Sequence, residues 1–226
     1  MSEYGSFCPV SKAAEVLCER WAILVIRELL AGSTRFNELR RGLPGCPPAT
    51  LSKRLKQLEV AGVVDRIDAG GSVTYALTEA GEELFPIVLA FGGWGQRWVR
   101  SSYPDEDLDP DELMWNVRRY LDPAGLGRDP CVVQLNVELP GAGRKPYWLV
   151  VEHGSVDLCD VDPRRDVDVT VAAHLRTLTQ VWLGDVSYAR AVRDERIVAS
   201  GPRALVRRLP AWFGQNPIVA PVGTAR

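Results

Sequence analysis

The feature that most constrains the fold is an acidic stretch with two prolines near the middle of the chain. Residues Pro104–Glu112 read PDEDLDPDE, with six acidic side chains and no basic one. A run of like charges repels itself and is normally solvated, so it separates packed regions rather than lying inside one. The 226 residues suffice for two small domains with real cores. We therefore predict a first domain over residues 1–103, an acidic linker over 104–110 and a second domain over 111–226.

Charge is distributed unevenly along the chain. The formal net charge is −2, which by itself gives no indication of a nucleic-acid partner. The stretch Arg35–Arg66 nevertheless holds seven basic and three acidic residues. A basic patch inside a near-neutral domain is a better sign of nucleic-acid binding than the total charge. The patch is therefore the first candidate for a nucleic-acid contact.

The remaining composition is that of an ordinary globular protein of a reducing compartment. Apolar residues make up 46% of the chain and charged residues 25%, which are typical values. No apolar run approaches the ~18 residues of a membrane span, and the N-terminus lacks the layout of a signal peptide. The five cysteines are scattered, with no C-x-x-C pair, which argues against a disulfide framework or a zinc site. We expect a cytoplasmic protein without a metal or cofactor.

The first half has the pattern of several short helices followed by two strands and a further helix. Leu51, Leu55 and Leu58 form one apolar stripe of a helix that begins at Pro48. After Gly62 the sequence alternates as two strands do around a tight turn. The predicted elements are helices over 11–17, 21–30, 34–43 and 48–61, a hairpin over 63–78, and a helix that follows Thr78 and reaches Trp98.

That order of elements is the order of a winged helix-turn-helix, in which a recognition helix enters the major groove of DNA. The helix over 48–61 would be the recognition helix. Opposite its leucines it carries small, hydroxyl, amide and basic side chains, which can approach closely and meet acceptors on base edges. Arg35, Arg40, Arg41 and Arg54 are better placed for phosphates, and Arg66 stands at the base of the wing. The candidate DNA-binding residues are Arg35, Arg40, Ala49, Thr50, Ser52, Lys53, Arg54, Lys56, Gln57 and Arg66.

A basic amphipathic helix is by itself a solvated surface more often than a DNA contact. The ordered set of elements favours DNA, and residue identities favour it further. The first half resembles the HxlR-type winged-helix transcriptional regulators over about residues 7–100. The residues that carry the resemblance are Cys8-Pro9-Val10, Trp21, Ile23–Leu30, Arg35–Leu39 (RFNEL), Leu51–Glu59 (LSKRLKQLE), Gly62, Arg66, Leu77-Thr78, Gly81 and Trp94-Gly95.

Two departures from the family pattern accompany the resemblance. The family often has glycine before the tryptophan, where this chain has Cys18-Glu19-Arg20. The recognition helix is usually capped by serine, whereas Pro47 supplies no side-chain acceptor. The second departure loosens the expected start of the helix without removing its contact face.

The resemblance implies a homodimer that reads a pseudo-palindromic operator. We expect the helix over 84–98 and the N-terminal helix to supply much of the dimer interface, because the former has more apolar residues than one buried side needs. Packing against the second domain is the alternative. Some regulators of this family sense oxidants through a cysteine in the opening C-P motif, which makes Cys8 a redox candidate. Its alternative role is that of a small apolar packing residue.

The second half has the mixed pattern of an α+β domain. Its two histidines, His153 and His174, have no local ligand partner. Its aspartates between 157 and 168 miss the spacing of a calcium loop, so solvated loops are the simpler interpretation. No catalytic or metal-binding residue is predicted. The predicted elements are a helix over 112–121, strands over 132–139, 147–151, 156–159 and 167–171, helices over 175–183 and 186–192, a strand over 197–199 and a helix over 204–213.

This half resembles the domain of sterol carrier protein type 2 over about residues 111–215. The resemblance implies a small sheet with helices that enclose an apolar cavity. A core filled by side chains is the alternative, because an aliphatic or tryptophan stripe is usually packing. The residues that carry the resemblance are Tyr147–Val151, Asp166–Val171, Thr177-Leu178, Gly184-Asp185, Arg196–Gly201, Ala204-Leu205 and Leu209. The candidate ligand-binding residues, which should face a shared interior, are Trp148, Leu178, Val181, Trp182 and Trp212.

Competing functions follow from these features. The first is a DNA-binding transcriptional regulator whose second domain responds to an apolar small molecule. The second is a lipid or small-molecule carrier module whose winged helix mediates only protein contacts. The basic outward face over 49–57 favours the regulator. An enzyme is the third, since carrier-like domains are also appended to some isomerases, but no nucleophile–base pair or metal set supports it.

Overall fold

The computed structural model describes residues 4–99, 104–141 and 143–213. The chain forms two compact units that divide after Val99, and each has a hydrophobic core of its own. The predicted linker contains a short 3-10 turn, Asp105–Asp107, whose Asp105 carboxylate pairs with Arg176 of the second unit. None of the helices in these three ranges combines the length and the hydropathy that a bilayer crossing requires.

The first unit is a winged helix-turn-helix, with its elements in the predicted order. Its hairpin is antiparallel, with Val64 opposite Leu77. The predicted last helix is two helices, because Pro86 has no N–H to continue the bonds of the preceding helix. The elements are helices α1 (Pro9–Leu17), α2 (Ala22–Leu30), α3 (Phe36–Gly42) and α4 (Pro48–Val60), strands β1 (Val64–Ala69) and β2 (Ser72–Leu77), and helices α5 (Glu79–Glu82) and α6 (Phe85–Trp98).

The leucine stripe predicted on α4 lies in the core of the first unit. Leu51, Leu55 and Leu58 are buried in one cluster with Val25 and Ile26 of α2. Burying one such side chain contributes about 1.5–3 kcal/mol, so the three leucines fix which side of α4 turns inward. The opposite side is left to solvent.

The second unit combines helices with a mixed five-stranded sheet, in agreement with the α+β prediction. Across the sheet the strands lie in the order β5 (Ser155–Cys159), β4 (Arg144–Glu152), β3 (Cys131–Glu138), β6 (Val169–His174) and β7 (Ile197–Ser200). Strands β3 and β6 are parallel, and the other neighbours are antiparallel. The predicted last helix is again two short helices, the second with Pro210 in its first turn. The elements are helix α7 (Pro110–Arg119), strands β3 (Cys131–Glu138), β4 (Arg144–Glu152), β5 (Ser155–Cys159) and β6 (Val169–His174), helices α8 (Leu175–Trp182) and α9 (Tyr188–Arg193), strand β7 (Ile197–Ser200), and helices α10 (Arg203–Val206) and α11 (Leu209–Trp212).

The two faces of this sheet belong to different clusters. Val133 of β3 and Leu149 of β4 are buried in the main core with the helices. Val132, Trp148 and Val150 form a separate, smaller cluster. Because successive side chains of a strand point to opposite faces, the two clusters lie on opposite sides of the sheet.

An ion-pair cluster fastens α7 to β4. The Asp111 carboxylate accepts a hydrogen bond from the Tyr147 hydroxyl at 2.7 Å and pairs with Lys145 Nζ at 2.6 Å. Burial alone raises the pKa of Asp111, but the bonds from Lys145 and Tyr147 outweigh it and hold that pKa below its usual value. The ionised carboxylate therefore ties the first turn of α7 to the sheet.

Candidate nucleic-acid interface

The turn between α3 and α4 sets where the candidate recognition helix begins. The N-cap, Pro47, makes no side-chain cap, as its sequence predicts. Pro48 occupies the first turn, where a missing N–H costs nothing because that group has no helical partner anyway. The Cys46 N–H donates to the Leu43 carbonyl at 2.9 Å and closes the turn. The helix start is therefore defined without a side-chain cap, which leaves its first N–H groups for water or a phosphate oxygen.

The side of α4 opposite its leucines is exposed and polar. Ala49, Ser52, Lys53 and Lys56 are exposed, and Thr50 is half-buried. Lys56 Nζ lies 3.1 Å from Glu59, but an exposed pair of this kind contributes only ~0–1 kcal/mol. In the described part of the chain, Lys53 has no ion pair. These five side chains form one continuous surface, which we call the polar face of α4.

Arg54 does not lie on the polar face. It is 9% exposed, its Nε donates to the Arg20 carbonyl at 2.6 Å, and its Nη2 lies 2.9 Å from Glu19. The assignment of Arg54 to a phosphate contact is therefore corrected. Its guanidinium is occupied inside the protein, where it joins the recognition helix to the bend between α1 and α2.

The Gln57 side chain turns toward the Arg54 guanidinium and away from the centre of the polar face. Its Oε1 accepts a hydrogen bond from Arg54 Nη1, and the residue is half-buried. A glutamine that reads adenine uses its oxygen and its nitrogen together. With the oxygen already bonded, Gln57 stands at the edge of the polar face and offers chiefly its amide N–H groups.

The bend between α1 and α2 supplies partners that sequence reasoning missed. Trp21 has a positive φ of 78°, a conformation that is rare for a bulky residue. The Arg20 guanidinium lies over the Trp21 ring, 5.5 Å from its centroid. Glu19 and Arg20, which replace the glycine common in the family, are the residues that bind Arg54. The Glu19 carboxylate, which a glycine could not supply, was the available signal, whereas any residue at position 20 provides the backbone carbonyl that Arg54 binds.

The other basic candidates are on the surface. Arg35 is the exposed N-cap of α3, and Arg40 and Arg41 are exposed in its last turn. Arg66 is exposed on β1 and pairs with Asp68 at 3.3 Å. These positions surround the turn and the wing rather than lie on α4, which suits contacts with phosphates.

The wing is fastened to the start of α3. The Tyr75 N–H on β2 donates to the Thr34 carbonyl at 2.7 Å. The N–H of the next residue, Arg35, donates to Glu38 Oε2 at 3.0 Å. The Glu38 side chain in the first turn of α3 thus caps the start of its own helix. Burial raises the pKa of Glu38, but the backbone donors from Thr34 and Arg35 lower it below its usual value. The wing and α3 are thereby held in one arrangement.

A buried carboxylate fixes the spacing between α2 and α3. Glu28 is fully buried, and its Oε1 accepts a hydrogen bond from Arg27 Nη2 at 2.9 Å. The same nitrogen donates to the Gly42 carbonyl at 3.0 Å. A Cβ at Gly42 would overlap the Glu28 carboxylate, so any larger residue here requires the buried Glu28 side chain to move.

Helix α6 has a second exposed surface of a different kind. Of its described residues only Val88 is buried, while Phe91, Trp94 and Trp98 are 60%, 56% and 69% exposed. Ile87 is exposed on the same side, whereas the exposed Phe85 lies on the opposite side of the helix. We call this surface the apolar face of α6. It is larger than the scattered apolar residues that a monomer normally exposes.

Cys8 is the N-cap of α1. It is half-buried, and the backbone N–H groups of Ser11 and Val10 lower the pKa of its thiol. A lowered thiol pKa increases the thiolate fraction, which is the reactive form. No basic residue stands beside Cys8 in the sequence, and the backbone N–H groups of the helix start lower the pKa instead.

The candidate ligand-binding residues of the second unit do not all meet. Leu178, Val181 and Trp182 of α8 line one small cavity. Trp212 is buried in the same core, where its Nε1 donates to the Asp122 carbonyl at 2.9 Å. Trp148 lies on the opposite face of the sheet, so the expectation of one shared interior is wrong for this residue. The alternation of β4 decides it, because Tyr147 and Leu149 take the inward positions.

Comparison with known proteins places the first unit in a family. Residues 16–103 match the model of the HxlR-like helix-turn-helix family. The HTH-type transcriptional regulator sll1512 of Synechocystis is 38% identical over 100 residues, which are 43% of this chain and 74% of that protein. The HTH-type transcriptional regulator YvaP of Bacillus subtilis is 38% identical over 105 residues, which are 45% of this chain and 97% of that protein.

A solved structure, the reduced form of the transcriptional regulator YodB from B. subtilis, is 29% identical. It aligns with a TM-score of 0.38 over 43% of this chain and all of that chain. The family assignment follows from the two relatives, since this chain covers most of the length of both at well over 30% identity. The chain therefore belongs to the HxlR-like helix-turn-helix family of DNA-binding transcriptional regulators.

Proposed function

We propose that the chain reads its operator through the polar face of α4. The observation that carries this proposal is that Ala49, Thr50, Ser52, Lys53 and Lys56 share one solvent-facing side of a helix whose other side is fixed by buried leucines. A helix so anchored presents the same side chains to every DNA molecule. Small residues at its start allow close approach, and the hydroxyls and amines meet base acceptors.

The direct test removes the two lysines of the polar face. The double variant Lys53→Ala/Lys56→Ala should lose about 1–3 kcal/mol of operator binding, which is roughly 5- to 150-fold in affinity. A DNA-retardation assay on genomic fragments from the region of the gene, at physiological salt, measures it. The matched control is Arg144→Ala/Arg190→Ala, which removes two exposed charges from the second unit. Equal affinities for all three proteins would refute the proposal.

The proposed functional form is a homodimer. The apolar face of α6 exposes two tryptophans and a phenylalanine, and the exposed Phe7 and Val10 at the start of α1 add further apolar surface in the same unit. Exposed apolar area of this extent is stabilised by association. A two-fold dimer also presents two recognition helices to the two halves of a pseudo-palindrome. Light scattering at micromolar concentration tests it, and a monomer there would exclude the dimer.

The second unit is proposed to sense an apolar small molecule in the cytoplasm. The support is an enclosed α+β core in which α8 leaves a small cavity. Small-molecule sites are usually apolar with few polar groups. To act as an effector, the molecule must bind the DNA-competent and incompetent conformations unequally, and a tenfold effect on DNA affinity corresponds to about 1.4 kcal/mol of coupling.

A further inference from the structure

The cavity in the second unit lies between three helices and the end of a fourth. It has a volume of about 10 Å³ and is bounded by α7 through Met114, by α8 through Leu178 and Trp182, and by Phe213 after α11. Tyr188, the first residue of α9, forms the remaining wall. The space as it stands admits at most one heavy atom.

The hydroxyl of Tyr188 has no hydrogen-bond partner among the described residues. The side chain is buried, with the residue 6% exposed, and burying a hydroxyl without a partner costs free energy. Burial also raises the pKa of Tyr188 above its usual value, so the group is an O–H donor at neutral pH. In the same core, Tyr147 donates its hydroxyl to Asp111. Among the described residues, Tyr188 is thus a buried donor without an acceptor.

Water is a poor occupant of this cavity. A buried water normally requires at least about 10–15 Å³ and two to four polar partners. The cavity lies at the lower limit of that volume, and its lining side chains other than Tyr188 are aliphatic, aromatic or thioether groups. The lining residues offer a water molecule at most two polar side-chain groups, the Tyr188 hydroxyl and the indole N–H of Trp182. An acceptor atom carried by an apolar molecule fits the surroundings better.

Phe213 indicates how a larger molecule is accommodated. Its ring stacks on Tyr188 with centroids 5.4 Å apart and planes 20° from parallel. A ligand ring in the place of the Phe213 ring keeps this stacking and brings an attached oxygen toward the Tyr188 hydroxyl. Met114 on the far wall is unbranched and adapts its shape readily. The required rearrangement moves the Phe213 ring, which also breaks its edge contact with Trp212, and the flexible Met114.

We propose that this cavity is a site for a small aromatic carbonyl compound, whose oxygen accepts the hydrogen bond of Tyr188 while its ring replaces that of Phe213. Binding at the site stands on the geometry of the second unit alone. Only the role of the bound compound as an effector rests on the proposed function.

The test compares two probes of nearly equal shape, acetophenone and ethylbenzene, which differ in the carbonyl oxygen. Calorimetric titration of the full chain should show acetophenone bound about fivefold more tightly, the equivalent of one hydrogen bond. Tyr188→Phe should abolish the preference while retaining ethylbenzene binding. Tyr147→Phe, which removes the other buried hydroxyl of the core, should preserve the preference, and thermal unfolding verifies that both variants are folded.

Three results would overturn the site: no binding of either probe, equal binding of the two by the unmodified chain, or a preference that survives Tyr188→Phe. Retardation of operator DNA with and without saturating acetophenone then tests the effector role, which an unchanged DNA affinity would exclude. A chain that binds acetophenone but no DNA refutes the regulator and leaves the site intact. A chain that binds DNA but neither probe refutes the site and leaves the regulator intact.

Discussion

Two helices of the first unit leave one side open to solvent, and the two sides differ in chemistry. The polar face of α4 consists of small, hydroxyl and basic side chains, whereas the apolar face of α6 exposes tryptophans and a phenylalanine. Water satisfies the first and is excluded by the second. The polar face of α4 can therefore remain hydrated between contacts with a polyanion, whereas the apolar face of α6 is stabilised by lasting burial, as in the proposed dimer.

The largest expected effect comes from placing a charge on the apolar face of α6. Trp94→Asp should dissociate the proposed dimer and reduce operator affinity by about 100-fold, because linked half-sites gain two or more orders of magnitude in avidity. Light scattering and DNA retardation measure the two consequences. Val161→Asp, at an exposed valine of the second unit, is the matched control. A dimer that survives Trp94→Asp would mean that this face serves another contact.

The next effect contrasts inward and outward bases on the same helix. Arg54→Ala should lower the free energy of unfolding by about 2 kcal/mol, since it removes buried hydrogen bonds to Arg20 and Glu19. Lys53→Ala should change it by less than about 0.5 kcal/mol, as surface substitutions usually do. Denaturant titration followed by tryptophan fluorescence provides both values. Similar values for the two variants would contradict the inward role of Arg54.

A smaller effect separates phosphate contacts from base contacts. Arg40→Gln should weaken binding to all DNA sequences by a similar factor and reduce the slope of log affinity against log salt by about 0.9, the value for one phosphate. Operator and non-operator fragments titrated at several salt concentrations provide the slopes. The control is Arg190→Gln in the second unit. A loss confined to the operator would assign Arg40 to base reading.

A pH-dependent effect tests the ion pair between Asp111 and Lys145 in the second unit. Because the folded pKa of Asp111 lies below its usual value of 3.8, its stabilising effect is complete above that value and is lost as the pH falls through the folded pKa. The stability of the wild type should therefore fall more steeply below about pH 4 than that of Asp111→Asn. Unfolding titrations between pH 7 and pH 2.5 measure the difference. Parallel curves would exclude a role for this carboxylate.

The smallest and most specific effect concerns Cys8, which stands between the exposed apolar residues Phe7 and Val10. With its pKa lowered by the helix start, Cys8 should react with hydrogen peroxide before the buried Cys46, whose thiol pKa is raised by burial. Cys8→Ser should then remove any oxidant effect on DNA binding. An effect that persists in this variant would exclude Cys8 as the sensor.

Local periodicity was sufficient to predict much of the first unit. The spacing of Leu51, Leu55 and Leu58 identified the buried side of α4, and Pro86 could have indicated the break between α5 and α6. Arg54 was misplaced because its position on the helix lies at the margin between the two sides. Its partners Glu19 and Arg20 are more than thirty residues away in the sequence, and no local pattern relates them.

In the second unit, sequence patterns predicted the elements but not how their side chains group. The order of strands and helices followed from their residue patterns, but the grouping of Trp148 with Trp182 did not respect the alternation of β4. Tyr147 and Leu149 were equally visible and point to the other face. The cavity itself depends on how α7, α8 and Phe213 meet, which is a matter of tertiary packing that a single sequence does not specify.

The fit of Gly42 against the Glu28 carboxylate has a consequence for genetics. Any larger residue at this position must displace the buried Glu28 side chain, which lies at the contact between α2 and α3. A selection for mutants with derepressed or silent target genes should therefore return substitutions at Gly42 as well as lesions in the polar face of α4. Alleles of the first kind should respond to growth temperature and reduce the amount of protein, whereas alleles of the second kind should leave its abundance unchanged.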